Sequence, residues 1–141
     1  MAVSNIERFD ELTGQVLAAL YADFPMPIRL SPDKFVAEWW VTNEHIGAPV
    51  ASRDTKFFTA TVSWLAEAGY LRYEALDPTQ LHGFANTVLT AKGLELLKAI
   101  PDSLGGSFGE RLGEVAATEG REGLRALVSQ VLSAGVNLMV N

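Results

Sequence analysis

The sequence has no cysteine and only two histidines among its 141 residues. Without cysteine the chain has no disulfide bond, thiolate metal ligand or cysteine nucleophile, and two histidines disfavour a metal enzyme. No apolar run approaches the roughly 20 residues that cross a bilayer. Residues 1–10 place Glu7 and Asp10 where a secretory signal would have positive charge and then apolar residues. We therefore predict a cytoplasmic protein with no membrane insertion, no metal and no cofactor.

Positive charge is scarce too, because 11 Lys and Arg residues stand against 17 Asp and Glu residues. The formal net charge is −6 at pH 7, and the isoelectric point is near 4.8. Such a chain repels a polyanion at long range, which disfavours nucleic acid as a partner but does not forbid a local basic face. Hydrophobic residues make up 48% of the sequence. A chain of this length and apolar content forms one ordinary core.

Capping signals and apolar periodicity predict mainly helical structure. A capping box formed by Ser4 and Glu7 starts a helix that ends near Asp23. The other signals predict helices over residues 32–40, 53–68, 91–100 and 121–134, and one beginning after Ser107. An extended or strand pattern is found at 28–30, 70–76 and 84–89, and a loop pattern at 41–52. The sequence therefore predicts a mainly α fold with a small β hairpin, of α+β class.

The same periodicity predicts helix ends and buried side chains. Gly69 follows the predicted helix 53–68 where a left-handed C-terminal cap belongs, and Gly135 is placed to end the last helix. Side chains on the apolar faces of the helices on either side of the hairpin are expected to be inaccessible. These side chains are Trp64, Leu65, Leu94, Leu97 and Ile100.

Two segments on either side of the predicted hairpin carry a family resemblance. Residues 61–71 read TVSWLAEAGYL, and residues 88–97 read VLTAKGLELL. Together with the order helix, strand, helix, helix, strand, loop, strand, helix, they resemble the winged-helix (winged helix-turn-helix) regulators of the MarR and PadR groups. The resemblance implies a winged-helix-like domain over residues 1–101. Residues 102–141 then form a glycine-rich C-terminal helical extension for packing or dimerisation.

The resemblance also implies a helix that reads DNA. In such regulators the helix before the hairpin lies in the major groove, and the loop between the hairpin strands, called the wing, touches the DNA. By helical phase, the outward residues of this helix are Arg53, Lys56, Thr59 or Ala60, Ser63 and Glu67. The candidate DNA contacts among them are Arg53, Lys56, Thr59 and Ser63. The corresponding wing, residues 77–83, contains no Lys or Arg, although phosphate contacts rely chiefly on them. We therefore predict no tight duplex binding.

The last predicted helix has one apolar stripe, which allows two interpretations. The stripe consists of Leu124, Leu127, Val128, Val131 and Leu132. It packs either on its own domain or on the same helix of a second subunit. Winged-helix regulators commonly dimerise through helices that flank the wing domain, so the resemblance implies a homodimer. A third interpretation, an amphipathic helix on a membrane, is disfavoured by Glu119 and Glu122.

A serine pattern in the C-terminal part has a catalytic and a structural interpretation. Residues 105–109 match the G-x-S-x-G pattern of a serine nucleophile. That pattern requires a preceding strand and a later histidine, whereas His45 and His82 both come before it. We therefore interpret Ser107 as a helix cap.

A polar cluster and a pair of adjacent tryptophans lie near residue 45. Glu44, His45 and Asp54 form the densest polar cluster near a loop, but their spacing matches no closed metal set, so we interpret His45 as a solvated loop residue. Trp39 and Trp40 would point about 100° apart on a helix. One of them is therefore a candidate for an exposed partner surface or small-molecule groove.

Two functional hypotheses remain. The first is a non-catalytic winged-helix protein that acts as a regulatory protein-interaction or self-association module. It is favoured chiefly by the acidic wing, which has Asp77 and no Lys or Arg. The alternative is a DNA-binding transcriptional regulator that uses the helix 53–68. Salt dependence separates them, because duplex affinity falls as counterions compete for phosphates.

Overall fold

The computed structural model describes residues 4–36, 40–77, 83–100, 105–118 and 121–140. The helices are α1 (Asn5–Asp23), α2 (Arg53–Glu67), α3 (Ala91–Lys98), α4 (Phe108–Thr118) and α5 (Arg121–Val140). The strands are β1 (Ile28–Leu30), β2 (Trp40–Asn43), β3 (Ala48–Ala51), β4 (Leu71–Arg72), β5 (Ala75–Asp77) and β6 (Gly83–Leu89). None of the described helices has the length and apolarity of a membrane span. The fold is mainly helical with small antiparallel sheets, and is of the predicted α+β class.

Reciprocal side-chain caps start α1 and α4. The Ser4 hydroxyl accepts a hydrogen bond from the Glu7 backbone N–H at 3.1 Å, and the Glu7 carboxylate accepts one from the Ser4 N–H at 3.4 Å. Ser107 and Glu110 form the same pair, at 3.1 and 3.4 Å. Each pair satisfies backbone donors that have no partner inside the helix. Both predicted capping boxes are confirmed.

The predicted helix over 32–40 and the predicted loop after it are wrong. A 3-10 turn, Pro32–Lys34, occupies the start of the predicted helix, and β2 pairs with β3 in a separate hairpin. The β-branched Val41 and Thr42 favour an extended backbone, and Gly47 has a φ of +63° in the hairpin turn. Strand propensity and turn chemistry therefore outweigh the helix-start signal that precedes them.

β6 is the central strand of the other sheet. It pairs with β1, β4 and β5, and places Leu89 opposite Leu71. Both predicted hairpin strands are confirmed, although the first is divided into β4 and β5. Gly69 has a φ of +90° at the turn from α2 into β4, a conformation that glycine adopts without a Cβ clash. Residues 78–82, most of the predicted wing, lie outside the described residues.

α1 lies at the centre of the packing and contacts α2, α4, α5 and β6. Leu65 of α2 and Leu97 of α3 are fully buried as predicted, and Leu94 is partly buried. Trp64 and Ile100 are 46% and 69% exposed, so the prediction that they are buried is wrong. Ile100 leaves the apolar face because it lies beyond the end of α3.

α5 buries its apolar stripe within this chain. Leu124, Leu127, Val128 and Val131 are at most 5% exposed, and Leu132 packs partly buried against the same core. α1 and α5 approach so closely that a Cβ on Gly14 would lie 2.6 Å from Leu124. The stripe therefore follows the first of its two interpretations, packing on its own domain. It is not a free surface for a second subunit.

α5 also continues through Gly135, where the sequence predicts its end. The Gly135 backbone packs against the Tyr70 ring, and a Cβ at this position would overlap the phenol group. The glycine therefore permits a close approach of α5 to the turn after α2, and does not end the helix.

One hydrophobic core spans the predicted domain boundary at residue 101. Its members from the two sides include Leu17, Leu97, Leu112 and Val128. α1 and α4 lie so close that a Cβ on Gly109 would be 2.6 Å from the Tyr21 ring. α4 and α5 therefore belong to the same packed unit as the elements before them.

Candidate interaction surface

An exposed aromatic surface lies where the first turns of α1 meet the C-terminal half of α2. The Phe9 and Trp64 rings meet edge to face with centroids 5.2 Å apart, and the Trp64 and Tyr70 centroids are 6.5 Å apart. Ile6 lies one turn before Phe9 on the same side of α1 and is 69% exposed. We call Ile6, Phe9 and Trp64, with the buried Tyr70 ring behind them, the Trp64 surface.

The position of Trp64 on α2 explains its exposure. Leu65 beside it is buried, whereas Ala60 and Glu67 are exposed. Trp64 therefore lies at the edge of the apolar stripe, and Phe9 covers only part of its ring. Helical spacing identifies such a stripe but not its edges, because the edges depend on what the neighbouring helix covers.

Carboxylates border the Trp64 surface. Asp10 lies one turn after Ile6 on α1, and Glu67 lies one turn after Trp64 on α2. Burial raises the pKa of Asp10, and Arg125 opposes this shift. Within the described part of the chain, Asp10 forms no ion pair. Two carboxylates thus lie one helical turn from members of the Trp64 surface.

Lys92 of α3 contacts the C-terminal end of α2 and the Tyr70 ring that follows it. Its Nζ donates a hydrogen bond to the Ala68 carbonyl oxygen at 2.8 Å and lies 4.5 Å from the centroid of the Tyr70 ring. This cation is therefore bonded within the chain. Through it, the two segments that carry the family resemblance contact each other directly.

Ion pairs join α1 to α5. Arg125 donates hydrogen bonds to Glu11 Oε1 at 2.7 and 3.1 Å and also pairs with Glu7. The Glu11 hydrogen bond is the main cause that raises the pKa of Arg125. The hydrogen bond from Ser4 is the main cause that lowers the pKa of Glu7, and Arg125 adds to it. No sequence signal predicts this pairing, because Arg125 and Glu7 are 118 positions apart.

A cleft of about 300 Å³ lies beside these ion pairs, and its lining contains four charged and four uncharged side chains. Arg8 pairs with Asp54, and the Arg8 guanidinium lies 4.4 Å from the centroid of the Phe57 ring. Arg121 Nε lies 3.9 Å from Glu11 Oε1. The charges around the cleft therefore compensate one another, and the cleft offers no surplus charge to a ligand.

The candidate DNA-contact residues lie along the outer side of α2. Arg53 and Lys56 are exposed in its first turns, and neither forms an ion pair with the rest of the described chain. Thr59 donates its hydroxyl hydrogen to a backbone carbonyl of the same helix at 3.1 Å, and Ser63 is partly buried. The structure thus places two exposed cations at the N-terminal end of α2, whereas Trp64 lies in its C-terminal half.

The predicted polar cluster is dispersed in the structure. Glu44 and His45 are exposed in the turn between β2 and β3, where the His45 N–H donates to Asn43 Oδ1 at 2.9 Å. Asp54 pairs with Arg8 instead. Across the described ranges, no three His, Asp or Glu side chains are grouped so that they could hold a metal ion.

Ser107 lies at the start of α4 and is 3% exposed. Its hydroxyl donates to Glu110 Oε1 at 2.9 Å and accepts from the Glu110 N–H at 3.1 Å. His45 lies in the distant hairpin turn, and His82 lies outside the described residues. The interpretation of Ser107 as a helix cap therefore accounts for both of its hydrogen-bonding roles.

The β2–β3 hairpin takes the place of the helix predicted to carry the paired tryptophans. Trp40 begins β2, and Trp39 lies outside the described residues. Val41 is 42% exposed and Ile46 is 65% exposed on this hairpin. The hairpin is thus a second exposed apolar feature, on elements other than those of the Trp64 surface.

Two surface features of the described residues bear on function, one apolar and one cationic. The Trp64 surface is apolar, with Asp10 and Glu67 one helical turn away, and the N-terminal end of α2 presents Arg53 and Lys56. Comparison of the chain with protein-family models, with curated proteins and with solved structures found no match.

Proposed function

We propose that this chain is a non-catalytic, winged-helix-like regulatory module that binds another protein through the Trp64 surface. The observation that carries the proposal is the 46% exposure of Trp64 in contact with Phe9. Partly exposed tryptophans on a fixed surface are typical anchors of protein interfaces. α1 and α2 are both packed into the core, so the surface is formed before a partner arrives.

The winged-helix part of the proposal rests on α2 and the elements after it. β4 and β5 follow α2 and pair with β6, and α3 begins immediately after β6 at the Thr90 cap. Lys92 joins α3 to the end of α2. The β2–β3 hairpin departs from the family order, which has a helix at that place. These features support a winged-helix-like arrangement with an altered segment between α1 and α2.

Charge favours a protein partner over nucleic acid. The chain has a formal net charge of −6, and the candidate DNA-reading side of α2 presents only Arg53 and Lys56 as cations. Two copies would then neutralise about four phosphates, fewer than the 6–10 that tight duplex binders contact. A protein partner with an apolar contact surface is not repelled by the negative net charge as nucleic acid is.

Site-specific photo-crosslinking tests the proposal. A benzophenone amino acid at position 64, in cells that naturally produce the protein, is expected to crosslink to a discrete protein. The same group at position 95, on the exposed side of α3, is the matched control. The product should disappear when Ile6→Asp is added, because this change places a charge in the Trp64 surface. Equal products from positions 64 and 95, or none from position 64, would contradict the proposal.

The second candidate function is sequence-specific duplex binding, which the exposure of Arg53 and Lys56 favours. We expect no duplex to bind more tightly than about 10⁻⁵ M at physiological salt, the range of non-specific association. An unbiased duplex selection followed by titration across salt measures this. A specific duplex bound at nanomolar concentration, and lost in Arg53→Ala and Lys56→Ala, would establish a DNA-binding regulator.

A further inference from the structure

The carboxylates beside the Trp64 surface are placed to meet cations of a partner. Asp10 follows Ile6 by one turn of α1, and Glu67 follows Trp64 by one turn of α2. Side chains at this spacing have Cβ atoms about 5–6 Å apart. A partner that covers the apolar residues therefore brings its own side chains against both carboxylates.

The charge of Asp10 is only partly compensated in the isolated fold, because Arg125 opposes the effect of burial on its pKa without cancelling it. Asp10 has no ion-pair partner among the described residues, and burial raises its pKa. A carboxylate with a raised pKa in the folded chain destabilises that chain at neutral pH. Arg125, the cation that lowers the pKa of Asp10, is already paired with Glu7 and Glu11. A cation supplied by a partner would add to the partial compensation that Arg125 gives Asp10.

We propose that the Trp64 surface binds a cationic amphipathic helix of a different protein. The apolar side of that helix covers Ile6, Phe9 and Trp64, and Lys or Arg side chains on its flank pair with Asp10 and Glu67. This inference rests on the proposed interaction function and names the class of partner. The surface lies between two helices, which is the geometry in which amphipathic helices dock by apolar anchors at helical spacing.

Charge also separates this partner from a second copy of the chain. Two copies that met at the Trp64 surface would bring the carboxylates of both together, and each copy has a formal net charge of −6. Like charges placed opposite each other disfavour association, whereas opposite charges accelerate it and select the partner. The acidic flank thus favours a basic partner and disfavours self-association at this site.

Two designed peptides serve as probes. Each has about 18 residues and the same leucine face, long enough for several helical turns, and the polar face carries lysine in one peptide and glutamate in the other. Fluorescence anisotropy of the labelled peptides, with the intact chain at physiological salt, measures both affinities. We expect the lysine peptide to bind about tenfold more tightly, since it gains two surface ion pairs where the glutamate peptide meets two like charges.

Variants matched in charge show whether the preference for the lysine peptide depends on Asp10 and Glu67. Asp10→Asn with Glu67→Gln should reduce the preference for lysine to about threefold or less, because both proposed ion pairs are lost. Glu44→Gln with Glu95→Gln removes the same charge from exposed positions elsewhere and should keep the preference. Trp64→Ala should weaken the lysine peptide by at least about tenfold, as for a central aromatic anchor. Circular dichroism confirms that each variant is folded.

The outcomes separate the partner class from the proposed function. If both peptides bind equally and Trp64→Ala weakens both, the Trp64 surface binds partners but the cationic class is wrong. If the two double variants reduce the preference equally, the lysine peptide binds by general charge and the inference is overturned. A crosslinked product from position 64 that consists of two copies of this chain would also overturn it.

Discussion

Gly93 determines how closely α3 approaches the turn after α2. A Cβ at this position would overlap the Tyr70 carbonyl oxygen and lie 3.0 Å from its carbon. Thr90 stabilises the same contact between α3 and the turn after α2, since its hydroxyl donates to the Gly69 carbonyl and accepts from the Gly93 N–H. The overlapping atoms belong to the backbone, so a side-chain rotation would not relieve the clash.

Gly93→Ala should therefore lower the free energy of unfolding by about 1–3 kcal/mol, the usual range for overpacking. Urea unfolding followed by circular dichroism measures the change. Gly106→Ala is the control, because a Cβ there meets no atom within 4 Å. Equal losses in the two variants would show that the contact with Tyr70 has no special role.

Glu7 makes the stability of α1 depend on pH. Its pKa is lowered from the ordinary value of 4.5, mainly by the Ser4 hydrogen bond and further by Arg125. A carboxylate with a lowered folded pKa stabilises the fold above its unfolded value, and this contribution is lost as the pH falls through the folded pKa. Glutamine keeps the capping-box geometry but carries no charge.

We expect Glu7→Gln to have a lower melting temperature than the wild type near neutral pH. The difference should shrink as the pH falls below 4.5 and vanish once the wild-type carboxylate is protonated in the folded state as well as in the unfolded state. Scanning calorimetry across this range is the measurement, with Glu95→Gln as an exposed control. A difference that stays constant with pH would mean that Glu7 acts through packing and not through charge.

At the scale of elements, local signals predict helix starts well. The boxes at Ser4 and Ser107 each contain their own hydrogen-bond partners three residues on, so the sequence is sufficient to place α1 and α4. The same local logic fails at Ser31, where the cap signal precedes only a 3-10 turn. It also fails at Gly135, because the Tyr70 ring that this glycine accommodates is remote in sequence.

Charged substitutions in α5 test whether its apolar stripe packs within the chain, as the structure shows, or against a second subunit. Leu127→Glu with Val131→Glu should abolish cooperative thermal unfolding, because both side chains are at most 5% exposed inside the core. Burying unpaired charge costs more than about 4 kcal/mol in such cases, a large share of a domain's stability. Circular dichroism with light scattering reports the result. A folded monomer formed from a wild-type dimer would instead support the subunit interface.

At the scale of the whole molecule, the sequence predicts the fold class and the buried stripes but not the Trp64 surface. Phe9 and Trp64 become neighbours only when α1 packs on α2, and Arg8 meets Asp54 for the same reason. The spacing of residues within either helix does not predict these contacts between the two helices. The exposed cations of α2, in contrast, follow from helical phase alone.

The shared core predicts that the first predicted domain does not fold alone. A fragment of residues 1–100 would leave the α1 contacts with α4 and α5 uncovered, including those at Gly14 and Tyr21. We expect it to bind the dye ANS and to melt without a cooperative transition, as chains with incomplete packing do. Full-length protein measured in parallel is the control. A cooperative transition in the fragment would show that residues 1–100 fold on their own and would support the predicted domain boundary at residue 101.

The ion pair between Glu7 and Arg125 has a consequence for how the chain is made. The two residues are 118 positions apart, so α1 leaves the ribosome well before the helix that covers it. Contacts of such long sequence separation form slowly, and apolar surface exposed in the meantime is prone to aggregation. We therefore expect α1 to leave its apolar side uncovered during synthesis until α5 (Arg121–Val140) has been made and can pack against it.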